Sequence, residues 1–282
     1  MRKNSMFNKP LKLLGAGSLL FAALLAGQAL AAITTGTIIG SRHDLTGVGT
    51  GTNTVYTTGT TEVCVFCHTP HGASTSAQLW NRGAPNTASF TLYTNTFGTL
   101  DGTAAQPGAN SLLCLSCHDG ATALDLIINK PGSGGYNASG ASAGYTWTGA
   151  TTSKLNVGAV TNLGTTLADD HPIGMPYCDG VTTAACADKD FYTNTLYLDA
   201  APKPVLTIAA GLTTGWWIDT GANGIGAGIT RDKSDLPLYT TLGTTYPKVE
   251  CATCHEPHNS GNGTFLRIAN TASALCVTCH NK

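Results

Sequence analysis

The sequence predicts a mostly irregular chain with short α-helices and a few short β-strands, and three observations carry that expectation. Charged residues make up 11% of the 282 positions, where an ordinary soluble protein has about 25%. Glycine occurs 34 times and threonine is abundant, and no long apolar pattern of 3.6-residue period survives beyond the first 31 residues. A charge-laced helical fold is therefore excluded. Ten cysteines, most of them in Cys-x-x-Cys pairs, point to a chain organised around something other than a conventional apolar core.

Residues 1–31 read as a secretory signal. Arg2, Lys3, Lys9 and Lys12 give a basic start, Leu13 to Leu25 an apolar run, and Ala29-Leu30-Ala31 a small-residue cleavage site before Ala32. Gly15, Gly17 and Ser18 interrupt the run, which is short for a membrane span of about 20 residues. Losing these four cations takes the formal net charge from −1 to −5. The mildly acidic remainder has no Lys/Arg cluster, so nucleic acid and anionic membrane surfaces are excluded as partners, and no membrane insertion is expected after cleavage. Export leads to an oxidising compartment, where unpaired thiols are disfavoured.

Four cysteine pairs are each followed at once by histidine: Cys64-Val-Phe-Cys67-His68, Cys114-Leu-Ser-Cys117-His118, Cys251-Ala-Thr-Cys254-His255 and Cys276-Val-Thr-Cys279-His280. A random arrangement of these residues would hold about 0.01 copies of the pattern. Two thiols three residues apart can add to the two vinyl groups on one porphyrin edge, and the adjacent imidazole then lies under the iron. Four covalently attached haem c groups are expected, with His68, His118, His255 and His280 as proximal ligands. Zinc gives no reason for a histidine after every pair, and a redox dithiol gives none for four copies. Cys178 and Cys186 are left over, with Ala187 after the second, and are expected to form a local disulfide.

Eight histidines occur in all, so His43, His71, His171 and His258 remain, one for each iron. Bis-histidine ligation of every haem is expected, with lower potentials than His/Met ligation gives. The contexts repeat: a leading histidine, a CHxPH segment (His68-Thr-Pro-His71; His255-Glu-Pro-His258) and a second attachment motif. A histidine three residues past a proximal ligand can reach only a neighbouring haem. The expected pairings are His71 with the Cys114/Cys117 haem, His258 with the Cys276/Cys279 haem, His43 with the Cys64/Cys67 haem and His171 with the Cys251/Cys254 haem.

The chain is thus divided into a signal (1–31), a first dihaem unit (32–129) and a second dihaem unit (130–282) that carries long Gly/Thr-rich insertions and the disulfide. Short helices are expected over Asn110 to Ala123 and Thr271 to Cys279, and short strands at Tyr145 to Thr148, Val205 to Ala209 and Gly215 to Asp219. Loops this long need a core from elsewhere, and covalent haem would supply it, coupling folding to attachment. Trp216 and Trp217 are expected to pack rather than relay electrons. Asp169, Asp170, Asp219, Asp232 and Asp235 lack the spacing of a calcium loop.

On these residues the chain resembles the multihaem c-type cytochromes of metal-reducing bacteria, and most of all the OmcE-like tetrahaem cytochromes of extracellular filaments. The stretches that carry the resemblance are Gly40-Ser-Arg-His43-Asp-Leu, Cys64 to Gly72, Leu79-Trp-Asn-Arg82, Cys114 to Gly120, Asp170-His171-Pro-Ile-Gly174 and Cys251 to His258. The resemblance implies a loop-rich protein with stacked haem pairs, self-association into filaments, and one distal histidine donated across the subunit boundary, for which His43 is the candidate. It implies a secreted electron carrier at the outer cell surface, exchanging electrons with other redox cytochromes and extracellular acceptors. A periplasmic or outer-membrane-associated shuttle is the alternative. A nitrite or hydroxylamine oxidoreductase needs an open iron, and the spare histidines leave none, so no enzyme and no catalytic residue is expected.

Overall fold

The computed structural model describes residues 38–48, 53–74, 77, 79–85, 89–94, 103–132, 134–177, 202–204, 216–218, 220, 233–239 and 247–280. The chain divides into residues 1–35 and 36–282, and every described residue lies in the second part. The fold is mostly coil, as expected from the sequence. In chain order it holds β1 (Tyr56–Thr57), a 3-10 turn (Val63–Phe66), β2 (Thr91–Leu92), α1 (Ala109–His118), β3 (Leu126–Asn129), β4 (Tyr136–Ser142), β5 (Trp147–Thr148), β6 (Thr166–Leu167) and β7 (Met175–Pro176). There follow β8 (Pro202–Pro204), β9 (Trp216–Ile218), β10 (Leu236–Leu238), β11 (Lys248–Val249), α2 (Cys251–Cys254), a 3-10 turn (Thr271–Ser273) and α3 (Ala274–Val277).

The strands form small ribbons. β1 pairs with β5, β3 with β4 and β7 with β11, all antiparallel, β2 runs parallel to β6, and β8, β9 and β10 make an antiparallel three-stranded sheet. The β3–β4 hairpin spans the expected division between residues 129 and 130, and β1 and β2 both pair beyond it. The strand expected over Tyr145 to Thr148 is confined to Trp147 and Thr148, and the one over Gly215 to Asp219 to Trp216–Ile218. Val205 to Ala209 lie outside the described residues. Trp217 is buried, as a packing role requires.

α1 is shorter than the expected Asn110 to Ala123. Gly120 takes a left-handed φ of +62°, and the Asn162 carboxamide lies where a Cβ would be, so glycine ends the helix there. The Asp119 side chain completes the stop by accepting from Ala121 N–H (2.9 Å) and Thr122 N–H (2.8 Å). The start of α1 is served from far along the chain: Gly108 N–H donates to Glu250 Oε1 (3.1 Å), and Ser111 Oγ–H to Glu250 Oε2. A carboxylate at a helix N-terminus satisfies orphan N–H groups and complements the dipole. Glu250 also opens α2, its N–H donating to Thr253 Oγ1 (3.0 Å) in a capping box. The expected 271–279 helix is split, because Ala272 (φ 52°) and Ser273 (φ 63°) are left-handed.

Two small apolar clusters are present. One joins Phe90, Leu115 and Leu167 to Leu112 and Leu163, and the other joins Tyr177, Ile218, Leu236, Leu238 and Val249 to Leu275 and Cys279. Among the described residues 17 polar or charged side chains are buried beside 16 apolar ones. Hydrogen bonding to fixed partners therefore shapes this interior alongside apolar packing.

Candidate functional site

Each attachment motif is one helical turn. His68 N–H donates to Cys64 O (2.7 Å), His255 N–H to Cys251 O (3.1 Å) and His280 N–H to Cys276 O (2.9 Å), while Cys114 to His118 close α1. Positions i, i+3 and i+4 of a turn share a face, so two sulfurs and one imidazole emerge together at every motif.

The first and third motifs carry the same hairpin. Thr69 N–H donates to Leu79 O (2.8 Å) as Glu256 N–H does to Phe265 O (2.7 Å), and Asn81 N–H donates to Cys67 O (2.8 Å) as Arg267 N–H does to Cys254 O (2.9 Å). Leu79 (φ 57°) and Phe265 (φ 59°) are left-handed at matching places. The sequence repeat of CHxPH is thus a structural repeat that includes the residues returning under the motif. Those residues had no predicted role, and the signal for them is a second short segment, Leu79-Trp-Asn-Arg82 or Phe265-Leu-Arg267, at a similar distance after each CHxPH.

Polar clamps join neighbouring motifs. Asn81 Nδ2 donates to Val65 O (2.7 Å) inside the first motif. Arg82 donates from Nε to Ser116 Oγ (2.9 Å) and from Nη2 to Ser116 O (2.5 Å) inside the second, and onward to Leu124 O and Ala123 O. Ser111 Oγ, which donates to Glu250, accepts from Cys251 N–H (3.0 Å) and so ties the second motif to the third. Arg267 Nε donates to Ala252 O (2.9 Å) within the third. Val249 and Cys279 share one apolar cluster, linking the third to the fourth. The four attachment sites therefore adjoin in sequence order.

Three pairs of imidazoles face one another: His43 with His118 at 6.3 Å between ring centroids, His68 with His258 at 5.9 Å, and His171 with His280 at 6.3 Å. Two metal–nitrogen bonds of about 2 Å each plus two ring half-widths account for such a separation. The ring contacts differ from three of the four expected pairings: His43 lies against His118 rather than His68, His258 against His68 rather than His280, and His171 against His280 rather than His255. The expectation assumed that each half closes on itself, whereas the Glu250 clamp brings α1 and α2 together and lays the third motif's His258 against the first motif. His43 is also stacked on Phe265 of its own chain at 4.1 Å with the rings 12° apart. His71 and His255 are exposed, and neither has an opposed imidazole among the described residues.

Several of the ring nitrogens away from these gaps are engaged. His118 Nδ1 lies 2.6 Å from Thr161 O, His255 Nδ1 2.9 Å from Thr264 O and His171 Nδ1 3.0 Å from Pro172 O. His43 and His68 bond the carbonyls of Pro257 and Leu79. A carbonyl acceptor fixes the tautomer that presents Nε2 to a metal. Burial and the neighbouring His118 hold His43 down to about 4, and burial lowers His68 and His118, so these rings are neutral, the state that ligates iron. The turn behind His43 is rigid, since Asp44 accepts from Gly40 N–H (2.9 Å) and Thr46 Oγ1–H (2.6 Å).

The donor set fits haem better than its competitors. Burial pushes the Cys67 and Cys279 thiols up to about 12 and Cys254 up to about 11, while hydrogen bonds from Cys114 and Ser111 lower Cys251, so the fit to haem rests on the imidazole that follows every pair. No cluster of three or more His, Cys, Asp or Glu suited to a bare ion occurs among the described residues. Asp219, Asp232, Cys178 and Cys186 lie outside those residues. No helix among them is long and apolar enough to cross a membrane.

Glu256 is paired with two cationic side chains near these rings, with Oε2 3.1 Å from Arg267 Nη1 and Oε1 3.2 Å from His258 Nδ1. The hydrogen bond from His258 and the Arg267 charge hold its carboxyl down at about 2. A carboxyl depressed in the folded state stabilises above its ordinary pKa and loses that contribution as pH falls through the folded value. That contribution should therefore vanish as pH drops from about 4.5 to about 2, and Glu256→Gln should flatten that part of the acid unfolding curve followed by circular dichroism.

Residues 247–282 match the family described as a doubled CXXCH motif, the segment that holds the third and fourth attachment turns. No curated protein matches the chain in sequence. Paired thiols and an adjacent imidazole on one helical face, in a segment that matches a doubled motif, are the donor set of covalently bound haem c, and the chain fits a multihaem c-type cytochrome.

Proposed function

We propose that the chain is a tetrahaem c-type cytochrome that carries electrons by haem-to-haem hopping in extracellular electron transfer, as a subunit of an OmcE-like polymeric filament. It catalyses no substrate reaction in this reading. When bound, haem c supplies a one-electron iron couple whose potential depends on axial ligands, hydrogen bonds and exposure. The protein's part is to hold four such groups in the order of the motifs. Cys64/Cys67, Cys114/Cys117, Cys251/Cys254 and Cys276/Cys279 anchor them, His68, His118, His255 and His280 ligate from one side, and His258, His43 and His171 close the first, second and fourth sites from the other.

Supporting polymerisation is the state of the fourth pair. His71 and His255 are the two ligands left over, both exposed, so a second copy of the chain completes the third site by presenting its own His71 to His255. Low charge suits such self-packing, because little repulsion opposes it. Export through the residue 1–31 signal places the protein outside the inner membrane, with the Cys178–Cys186 disulfide formed there and other cytochromes and extracellular acceptors as redox partners.

Intact mass of the secreted protein should correspond to a chain cleaved before Ala32 and carrying four haems, and electron cryo-microscopy of the same fraction should show filaments in which His71 and His255 meet across each subunit boundary. Monomers alone, with four haems bound, would move the reading to a soluble shuttle. A CO-binding, five-coordinate iron in the assembled protein would point instead to an oxidoreductase.

A further inference from the structure

We propose that Glu256 sets the redox potential of the first site, anchored by Cys64 and Cys67, lowering it below that of the third. The inference rests on the reading that His68 and His258 are the axial pair of that site. His43, His68, His118, His171 and His255 hydrogen-bond to backbone carbonyls, whereas His258 Nδ1 lies 3.2 Å from the Glu256 carboxylate. A charged acceptor draws the ring proton more strongly than a neutral carbonyl does. The imidazole becomes a stronger donor, and ferric iron, which carries the extra positive charge, gains more from it than ferrous iron.

The carboxylate is held in place for this. Glu256 Oε1 also accepts the His258 backbone N–H (3.2 Å), and Arg267, 6% exposed and bonded to Ala252 O and Lys233 O, grips Oε2 from behind. Arg267 moderates the effect of the carboxylate and fixes its direction. The repeat supplies an internal control. Thr69 occupies the place of Glu256 in the first CHxPH segment, and its hydroxyl donates to His71 O (2.9 Å), so His71 has no carboxylate beside it on that segment. Two sites built on the same hairpin therefore differ in one charge, carried on the opposite motif from the site it acts on. An electron on the chain would favour the third site over the first, which gives the row of sites a direction.

The test is a spectroelectrochemical titration of the holoprotein, with EPR on poised samples. His258→Met and His68→Met should change the same low-spin signal, which identifies the first site. Glu256→Gln, and separately Glu256→Thr, should then raise that same component, with about a tenfold change in its oxidised-to-reduced ratio at fixed potential, which for one electron is about 59 mV. The g-values of that one signal should shift with it, a change that loosened packing alone would not confine to a single haem. Equal shifts over all components, or no shift at the marked one, would overturn the role of Glu256. If His258→Met changes no low-spin signal, the axial reading itself fails, and the two failures are thereby told apart.

Discussion

His43→Ala should convert one low-spin haem to high spin, and the haem that changes should be the one anchored at Cys114 and Cys117. The 6.3 Å gap between His43 and His118 is that of two ligands on one metal, and His43 is held there by Pro257 O on one side and Phe265 on the other. Losing one of two axial imidazoles leaves an open coordination position, so the effect on that site is all or none. Pairing follows from combining variants, because residues that share a site do not act additively. With His118→Met in the same chain, His43→Ala should perturb one haem in all, whereas with His68→Met it should perturb two. His258→Ala should show the opposite pattern. EPR and absorption spectra of the purified holoprotein decide it, and two perturbed haems in the His43/His118 double variant would refute the pairing.

Arg82→Met should be the most destabilising single change outside the ligands. The guanidinium is 1% exposed and its hydrogen bonds all go to neutral acceptors, Ser116 O and Oγ, Ala123 O and Leu124 O. Methionine fills much of the volume but answers none of them, and each buried acceptor left bare costs about 1–3 kcal/mol. A total on the order of 4 kcal/mol is expected after partial relaxation, read as a fall in the denaturant midpoint. Arg82→Lys should recover little, because one ammonium cannot span acceptors arranged for a fork. An unchanged midpoint in Arg82→Met would mean that the second motif is positioned by haem attachment and not by this clamp.

What the sequence discloses and what it hides divide along a physical line. Attachment motifs are local chemistry, since thiols and imidazole must share one helical turn, and they are readable residue by residue. The coil-rich fold is readable for a related reason: too few apolar side chains recur at any period to build long elements. Pairing of the distal histidines is set by contacts such as Glu250 with Ser111, 139 residues apart, for which no local pattern exists. The assumption that a repeat closes on itself then gives partners other than the imidazoles that the fold brings together. α1 ended early for a cause visible in the sequence, Asp119-Gly120, that helical periodicity alone passes over.

The near-equal burial of polar and apolar side chains has a thermodynamic consequence. Apolar exposure raises the heat capacity of unfolding and polar exposure lowers it. Exposing the buried polar groups of Asn81, Arg82 and Glu250 on unfolding therefore offsets part of the heat-capacity increment that the apolar side chains contribute.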